Sequence, residues 1–193
     1  MRPTRSCRIW FTPRTGSTLL SKLLADTGVA GRPEELFNYP LGGTLQAATK
    51  TDNYEALRAS LWQRGCSDNG MMSVKYGIYT SHDEALLQEL ADLRGLPLPS
   101  LGQREAFWAD IFPNPKHIYL TRRNKIRQAV SWWKAIKDEQ WHLQPGDDRK
   151  ALPADFYEKE YDFAALSHLF CEAAIRECAQ EAYFAAEGIV PLT

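Results

Sequence analysis

The sequence predicts an α/β domain in which a central parallel sheet is flanked by helices. Three observations predict it. Short apolar runs at 7–12, 71–79 and 117–121 have the length and composition of buried strands. Each is followed by a longer segment whose apolar residues recur at helical spacing. Strands that alternate with helices return to the same sheet edge and therefore lie parallel, with the helices covering the faces. The 193 residues suit one domain. With 44% apolar and 24% charged residues, a core can form without disulfide or metal staples.

Residues 7–12, "CRIWFT", read as the first strand, and "STLLSKLLADTG" as the helix after it. Leu19, Leu20, Leu23 and Leu24 share one face of that helix, and Gly28 is its C-terminal stop. Residues 28–50 are irregular and rich in Gly and Pro, with a helical turn expected after Pro33. A short helix is expected at 52–64, and "MMSVKYGIY" (71–79) is the second buried strand. Ser81 followed by Glu84 has the capping-box pattern and should open a helix through Leu86, Leu87, Leu90 and Leu93. Residues 95–103 form a loop.

"HIYLT" (117–121) is the third strand. A long helix is expected at 124–142, with Ile126, Ala129, Val130, Trp133 and Ile136 or Lys137 on its inner face. A charged loop at 144–153 leads to a long amphipathic helix at 162–188, and "IVPLT" begins like another strand. There is no internal repeat and no low-complexity tract.

Net charge is −1, from 23 basic and 24 acidic side chains, so a polyanion such as nucleic acid is not an expected partner and any anion site must be local. The four cysteines, Cys7, Cys66, Cys171 and Cys178, contain no CxxC pair. On one helix Cys171 and Cys178 would lie roughly 10 Å apart, too far for a disulfide. Reduced cysteines and a cytoplasmic address are expected. The N-terminus carries no signal-peptide pattern, and no stretch approaches the length of a membrane span.

The turn "PRTGST" between the first strand and helix has the composition of an anion cradle. A helix N-terminus offers free backbone N–H groups and the positive end of the macrodipole. Thr15, Gly16, Ser17 and Thr18 add hydroxyls and a flexible backbone, and Arg14 adds a fork of donors. The plain alternative is that Ser17 or Thr18 caps the helix and Arg14 is a solvated charge. A nucleotide triphosphatase loop would read GxxxxGK[ST]. Here no lysine directly follows the glycine, and no strand ends in an acid placed to hold magnesium, so a P-loop kinase is disfavoured. A Cys-x5-Arg phosphatase loop fails on spacing, because six residues separate Cys7 from Arg14. At this stage the anion has no identity. Arg122 and Arg123 emerge at the end of the third strand, where ligands bind in open α/β sheets, and Ser131 lies on the helix that follows. The four histidines, His82, His117, His142 and His168, show no metal-ligand spacing.

"PRTGSTLLSKLLADTGVAGRPEELF" together with "HIYLTRRNKIRQAVSWWKA" resembles the sulfotransferases typified by the bacterial trehalose 2-sulfotransferase. The resemblance covers most of residues 8–192. It implies a P-loop-like three-layer fold and a single sulfotransferase domain over 1–193, with the family's C-terminal segment lacking. It implies 3′-phosphoadenosine 5′-phosphosulfate as co-substrate and no metal. By this likeness Arg14, Thr15, Gly16, Ser17 and Thr18 hold the 5′-phosphosulfate, and Arg14 stabilises the leaving phosphate. Ser131 and either Arg122, which the family pattern favours, or Arg123 hold the 3′-phosphate. Glu35, immediately before Leu36 and Phe37, is the general base.

Lys75 matches an acceptor-site lysine, and a lysine in an apolar strand needs a crevice or solvent for its head. Trp132, Trp133 and Trp141 could stack on a ring. Helical spacing favours packing, and only Trp141 is kept as an acceptor-side candidate. Arg32 stands where the trehalose enzyme has an acid, which points the acceptor towards a glycolipid, another carbohydrate or an acidic molecule. The expected partner is thus a sugar or glycolipid hydroxyl, and the resemblance implies a homodimer. A nucleotide-binding remnant without full activity is the rival reading.

Overall fold

The computed structural model describes residues 2–40, 42–77, 80–142, 148 and 150–193. Three strands, β1 (Arg5–Phe11), β2 (Met71–Tyr76) and β3 (Pro115–Leu120), form a parallel sheet in the order β2-β1-β3. Ile9 stands beside Lys75 on one side and Ile118 on the other, so the three strand ends are level. Among the described residues the helices are α1 (Ser17–Asp26), α2 (Leu45–Thr49), α3 (Tyr54–Gly65), α4 (Thr80–Arg94), α5 (Arg104–Trp108), α6 (Lys125–Asp138), α7 (Phe156–Lys159) and α8 (Phe163–Glu187). The architecture is the expected α/β arrangement, a central parallel sheet flanked by helices.

β1 is buried along nearly its whole length, as a central parallel strand must be. Trp10 points into the main core, against Tyr76, Tyr183 and Phe184. That core joins β2 to Leu57 and Leu61 of α3, to Leu86, Leu87 and Leu90 of α4, and to Trp108 of α5. A smaller cluster forms where Ala129, Trp132 and Trp133 of α6 meet Leu169 and Ala173 of α8. One charged network crosses the main core. Arg8, fully buried, pairs with Glu105 and lies near the Tyr183 hydroxyl. Trp10 donates to Nδ1 of His117 at 2.9 Å. Burial, with Arg8 as a second cause, depresses the His117 pKa to about 3, so its ring is neutral and can accept that bond.

The helix ends follow their capping residues. Asn124 and Asp162 accept from the backbone N–H three residues on, at 2.9 Å each, and open α6 and α8. Isolated single-residue bridges flank both edges of the sheet, one of them an antiparallel pair of Cys66 with Met72 beside β2. Glu34 pairs with Val74 beside β2, and Leu192 pairs with Ile118 beside β3, which answers the strand expected at the C-terminus.

Four expectations are corrected. After Pro33 there is no helical turn. The chain is extended through Glu34, whose O accepts from Lys75 N–H at 2.9 Å, and only a single non-helical turn follows, closed by Asn38 N–H donating to Glu35 O at 3.1 Å. The inner face of α6 is Gln128, Ala129, Trp132, Trp133, Ala135 and Asp138, while Ile126 and Ile136 are exposed. α6 packs along α8 and over the turn after β1, and that turn wants polar partners. Glu139 takes a left-handed conformation and ends α6 before residue 142. On α1 the buried positions are Ser17 and Ser21, whereas Leu19 and Leu23 face outward. Helix α4 starts at Thr80, next to undescribed residues 78 and 79, so the cap assigned to Ser81 lies outside what is described. Half of the charged loop, residues 144–147 and 149, lies outside as well.

Candidate active site

The turn from β1 into α1 is made by left-handed backbone. Arg14 has φ 68° and Gly16 has φ 93°. Gly16 occupies the N-cap position, and no side chain caps the helix. The hydroxyls of Ser17 and Thr18 are therefore not spent on capping, and the first-turn N–H groups keep their anion-binding potential. Thr15 Oγ1 donates back to Thr12 O at 2.9 Å and fixes the turn.

The opposite wall comes from β3 and α6. Arg122 donates to Arg14 O at 3.3 Å, and Arg14 Nε donates to Ser131 Oγ at 3.0 Å. The Arg14 guanidinium also binds the Trp141 carbonyl, which brings the segment after α6 over the site. Burial, with Arg122 adding repulsion, lowers the Arg14 pKa, and Asp138 opposes the shift. Two guanidinium groups thus lie close together in a partly desolvated place, a setting that favours a bound anion. Arg14, Gly16, Ser17, Thr18, Arg122 and Ser131 line one cavity of about 680 Å³. Arg123 is exposed and lines a separate shallow hollow with Lys125 and Ile126.

Glu35 reaches the same cavity from the extended segment beside β2. Its Oε1 lies 2.5 Å from Lys75 Nζ, and its Oε2 accepts from Asn38 at 3.1 Å. Lys75 is buried, donates to Thr18 Oγ1 at 3.2 Å and stands 5.1 Å over the Phe11 ring. The lysine head therefore spans the crevice between the cradle and the carboxylate, as its place in an apolar strand required.

A second cavity of about 460 Å³ adjoins the first, and Glu35 lies in the wall of both. Phe37, Tyr39 and Tyr76 give it an aromatic side; Asp83, Glu172 and Arg176 give it polar groups. Asp83 accepts from Arg104 at 3.0 Å and from the Tyr76 hydroxyl, while its burial raises its pKa. Flat rings beside fixed polar groups suit a polyhydroxylated ligand.

Of the residues singled out in the sequence, Arg14, Gly16, Ser17, Thr18, Arg122, Ser131, Glu35 and Trp141 line the larger cavity, and Lys75 lines the smaller. Thr15 supports the turn. Arg32 is exposed, its N–H bonded to Gly65 O at 2.9 Å, and it lines neither cavity. Sequence reasoning missed His142, Lys22 and the α8 pair Glu172 and Arg176. His142 lines the larger cavity, and burial, with Lys75 and Arg14 after it, lowers its pKa against the pull of Glu35. Nothing local marks these positions, because they reach the site through the packing of α1, α6 and α8. Among the described residues no cluster of His, Cys, Asp and Glu is placed to hold a metal, and no helix is long and apolar enough to cross a membrane.

Residues 6–193 match the model of the family described as Stf0 sulphotransferase. The chain is 30% identical over 224 aligned residues to a trehalose 2-sulfotransferase of Mycobacterium tuberculosis (strain ATCC 35801 / TMC 107 / Erdman), covering 99% of this chain and 77% of that protein. It is 26% identical over 203 residues to the trehalose 2-sulfotransferase of Mycolicibacterium smegmatis (strain ATCC 700084 / mc(2)155), covering 93% and 72% respectively.

Proposed function

The chain belongs to the Stf0 sulphotransferase family and is a sulfotransferase; from that premise we propose that it moves a sulfuryl group from 3′-phosphoadenosine 5′-phosphosulfate to a carbohydrate hydroxyl. The observation that carries this reading is the single cavity that Arg14, Ser17 and Thr18 share with Arg122 and Ser131. One nucleotide with phosphates at its 5′ and 3′ positions would engage both groups. The cradle holds the 5′-phosphosulfate, and Arg122, in preference to Arg123, holds the 3′-phosphate with Ser131. Ser131 and the Arg122 guanidinium are each already within hydrogen-bond reach of Arg14, so the donor replaces contacts that the cationic groups make among themselves.

Glu35 acts as the base. It takes the proton of the acceptor hydroxyl as that oxygen attacks sulfur in line. The bond from sulfur to the 5′-phosphate oxygen breaks, and Arg14 stabilises the charge left there. Lys75, between Glu35 and Thr18, supports the sulfuryl group in flight and orients the carboxylate. The acceptor occupies the smaller cavity, which brings its hydroxyl to Glu35 from the side away from the cradle. Both relatives are named for trehalose. Arg32 lies outside the cavities, so its charge is no argument against a trehalose-like disaccharide here.

Co-crystallisation with adenosine 3′,5′-bisphosphate tests the reading. The nucleotide should span Arg14 to Thr18 and Ser131. A nucleotide bound elsewhere, or tighter binding of ATP with magnesium in calorimetry, would overturn it. Turnover of the donor over a panel of sugars tests catalysis: trehalose or another disaccharide should be sulfated, and binding without any turnover would leave the remnant reading standing.

A further inference from the structure

Pairing between β1 and β3 ends at Phe11 and Leu120. Beyond it no ladder joins the two loops that line the larger cavity, so side-chain bonds must hold their separation. A polar cluster stands at the fork, buried at Thr12, Glu177 and Gln128 and open to solvent at Thr121. Glu177 of α8, 7% exposed, accepts from Thr12 Oγ1 at 3.4 Å and from Thr121 Oγ1 at 3.0 Å. Thr12 directly follows one strand and Thr121 the other. Lys125 donates to the same carboxylate at 2.6 Å and to Thr121 Oγ1 at 2.8 Å. Gln128 of α6, fully buried, donates to Thr12 Oγ1 at 2.7 Å and to Pro13 O at 2.9 Å. Its own Oε1 has no partner, so this amide is held by what it donates to.

An ion pair with one buried partner contributes little net stability compared with apolar residues of similar volume, whereas its hydrogen bonds fix geometry. A cluster of this kind at the fork of two ligand loops points to positioning. We propose that Glu177, supported by Gln128, is a positioning residue that sets the span between the two loops, and thereby the preference for a nucleotide phosphorylated at both the 5′ and 3′ positions over one with a 5′-phosphate alone. Neither side chain lines the cavity; both act through Thr12, Pro13 and Thr121. The inference rests on the donor assignment above and adds to it the device that matches the site to the donor's length.

Calorimetry on the full chain with adenosine 3′,5′-bisphosphate and adenosine 5′-monophosphate tests it. The wild-type protein should prefer the bisphosphate; absence of that preference would overturn the donor assignment, and this inference with it. In Glu177→Gln and in Thr121→Val, bisphosphate binding should weaken by about tenfold, the effect of one lost charge-assisted hydrogen bond. Monophosphate binding should stay within about threefold, since the cradle itself is untouched. A role in stability alone would not move the ratio of the two affinities in the folded protein. If Glu177→Gln does not fold, Thr121→Val carries the test by removing one hydroxyl at the edge of the cluster. A wild-type ratio in a folded variant, or a parallel loss of both affinities, would overturn the proposal and leave the donor assignment intact.

Discussion

The two loops of the larger cavity are built in opposite ways. The loop after β1 is backbone: two left-handed residues, Arg14 and Gly16, bend it so that a helix N-terminus faces the cavity. The loop after β3 has no left-handed residue before its Asn124 cap, and it contributes through side chains, Arg122 from just past the strand and Ser131 from α6. The first half is therefore sensitive to dihedral angles as well as to the side chains it carries, Arg14 above all. The second half depends on its side chains alone. Glu35 belongs to neither loop and approaches from beside β2, so binding and chemistry are separable.

That separation is tested by the variant with the largest expected effect. Glu35→Gln should lower kcat by at least about 100-fold, the usual contribution of a general base, while adenosine 3′,5′-bisphosphate binds as before. Near-normal turnover would remove Glu35 from the chemistry; lost nucleotide binding would erase the distinction between the loops and the carboxylate. Next in size is the side-chain half. Arg122→Ala should weaken the bisphosphate by about 10- to 100-fold, from one charged hydrogen-bond partner, whereas Arg123→Ala should not differ from wild type in the same titration. Reversed results would move the 3′-phosphate to the exposed arginine.

The backbone half is sharpened by a pair of glycines. Gly16 and Gly28 both have φ in the left-handed range, and an added Cβ would meet no atom within 4 Å at either. Gly16→Ala and Gly28→Ala should each cost about 1–2 kcal/mol of stability in chemical denaturation, from backbone strain alone. Only Gly16→Ala should also weaken donor binding. Equal loss of binding in both would show that the cradle responds to global stability and not to its own dihedrals.

These differences also explain what could be read in the sequence. The cradle was legible because its glycine, hydroxyls and arginine are contiguous. The second block was legible because Arg122 follows a strand and Ser131 lies on the helix that comes next. α6 misled because its apolar residues suggest a face through Ile126 and Ile136, whereas burial follows Gln128 and Asp138, which answer polar groups on other elements. Pro33 suggests a helical turn at Glu34, since a bridge to a strand forty residues away leaves no local trace. α5 carries too few residues for any period to show. The smaller cavity was invisible because α4 and α8 meet there only in three dimensions. Which residues pair, and which cavities form between helices, are properties of packing.

The single-residue bridges at the two sheet edges have a consequence for how this protein behaves in a crowd. A three-stranded sheet exposes two rows of unpaired amides, each a template on which another chain could dock and propagate. Here Met71 O accepts from Ser67 and Lys75 N–H donates to Glu34, while His117 O and Tyr119 N–H are both engaged by Leu192. The rows are interrupted at the places where an incoming strand would have to begin. A small sheet that must keep its strand ends open to a ligand can thus close its flanks to its own kind.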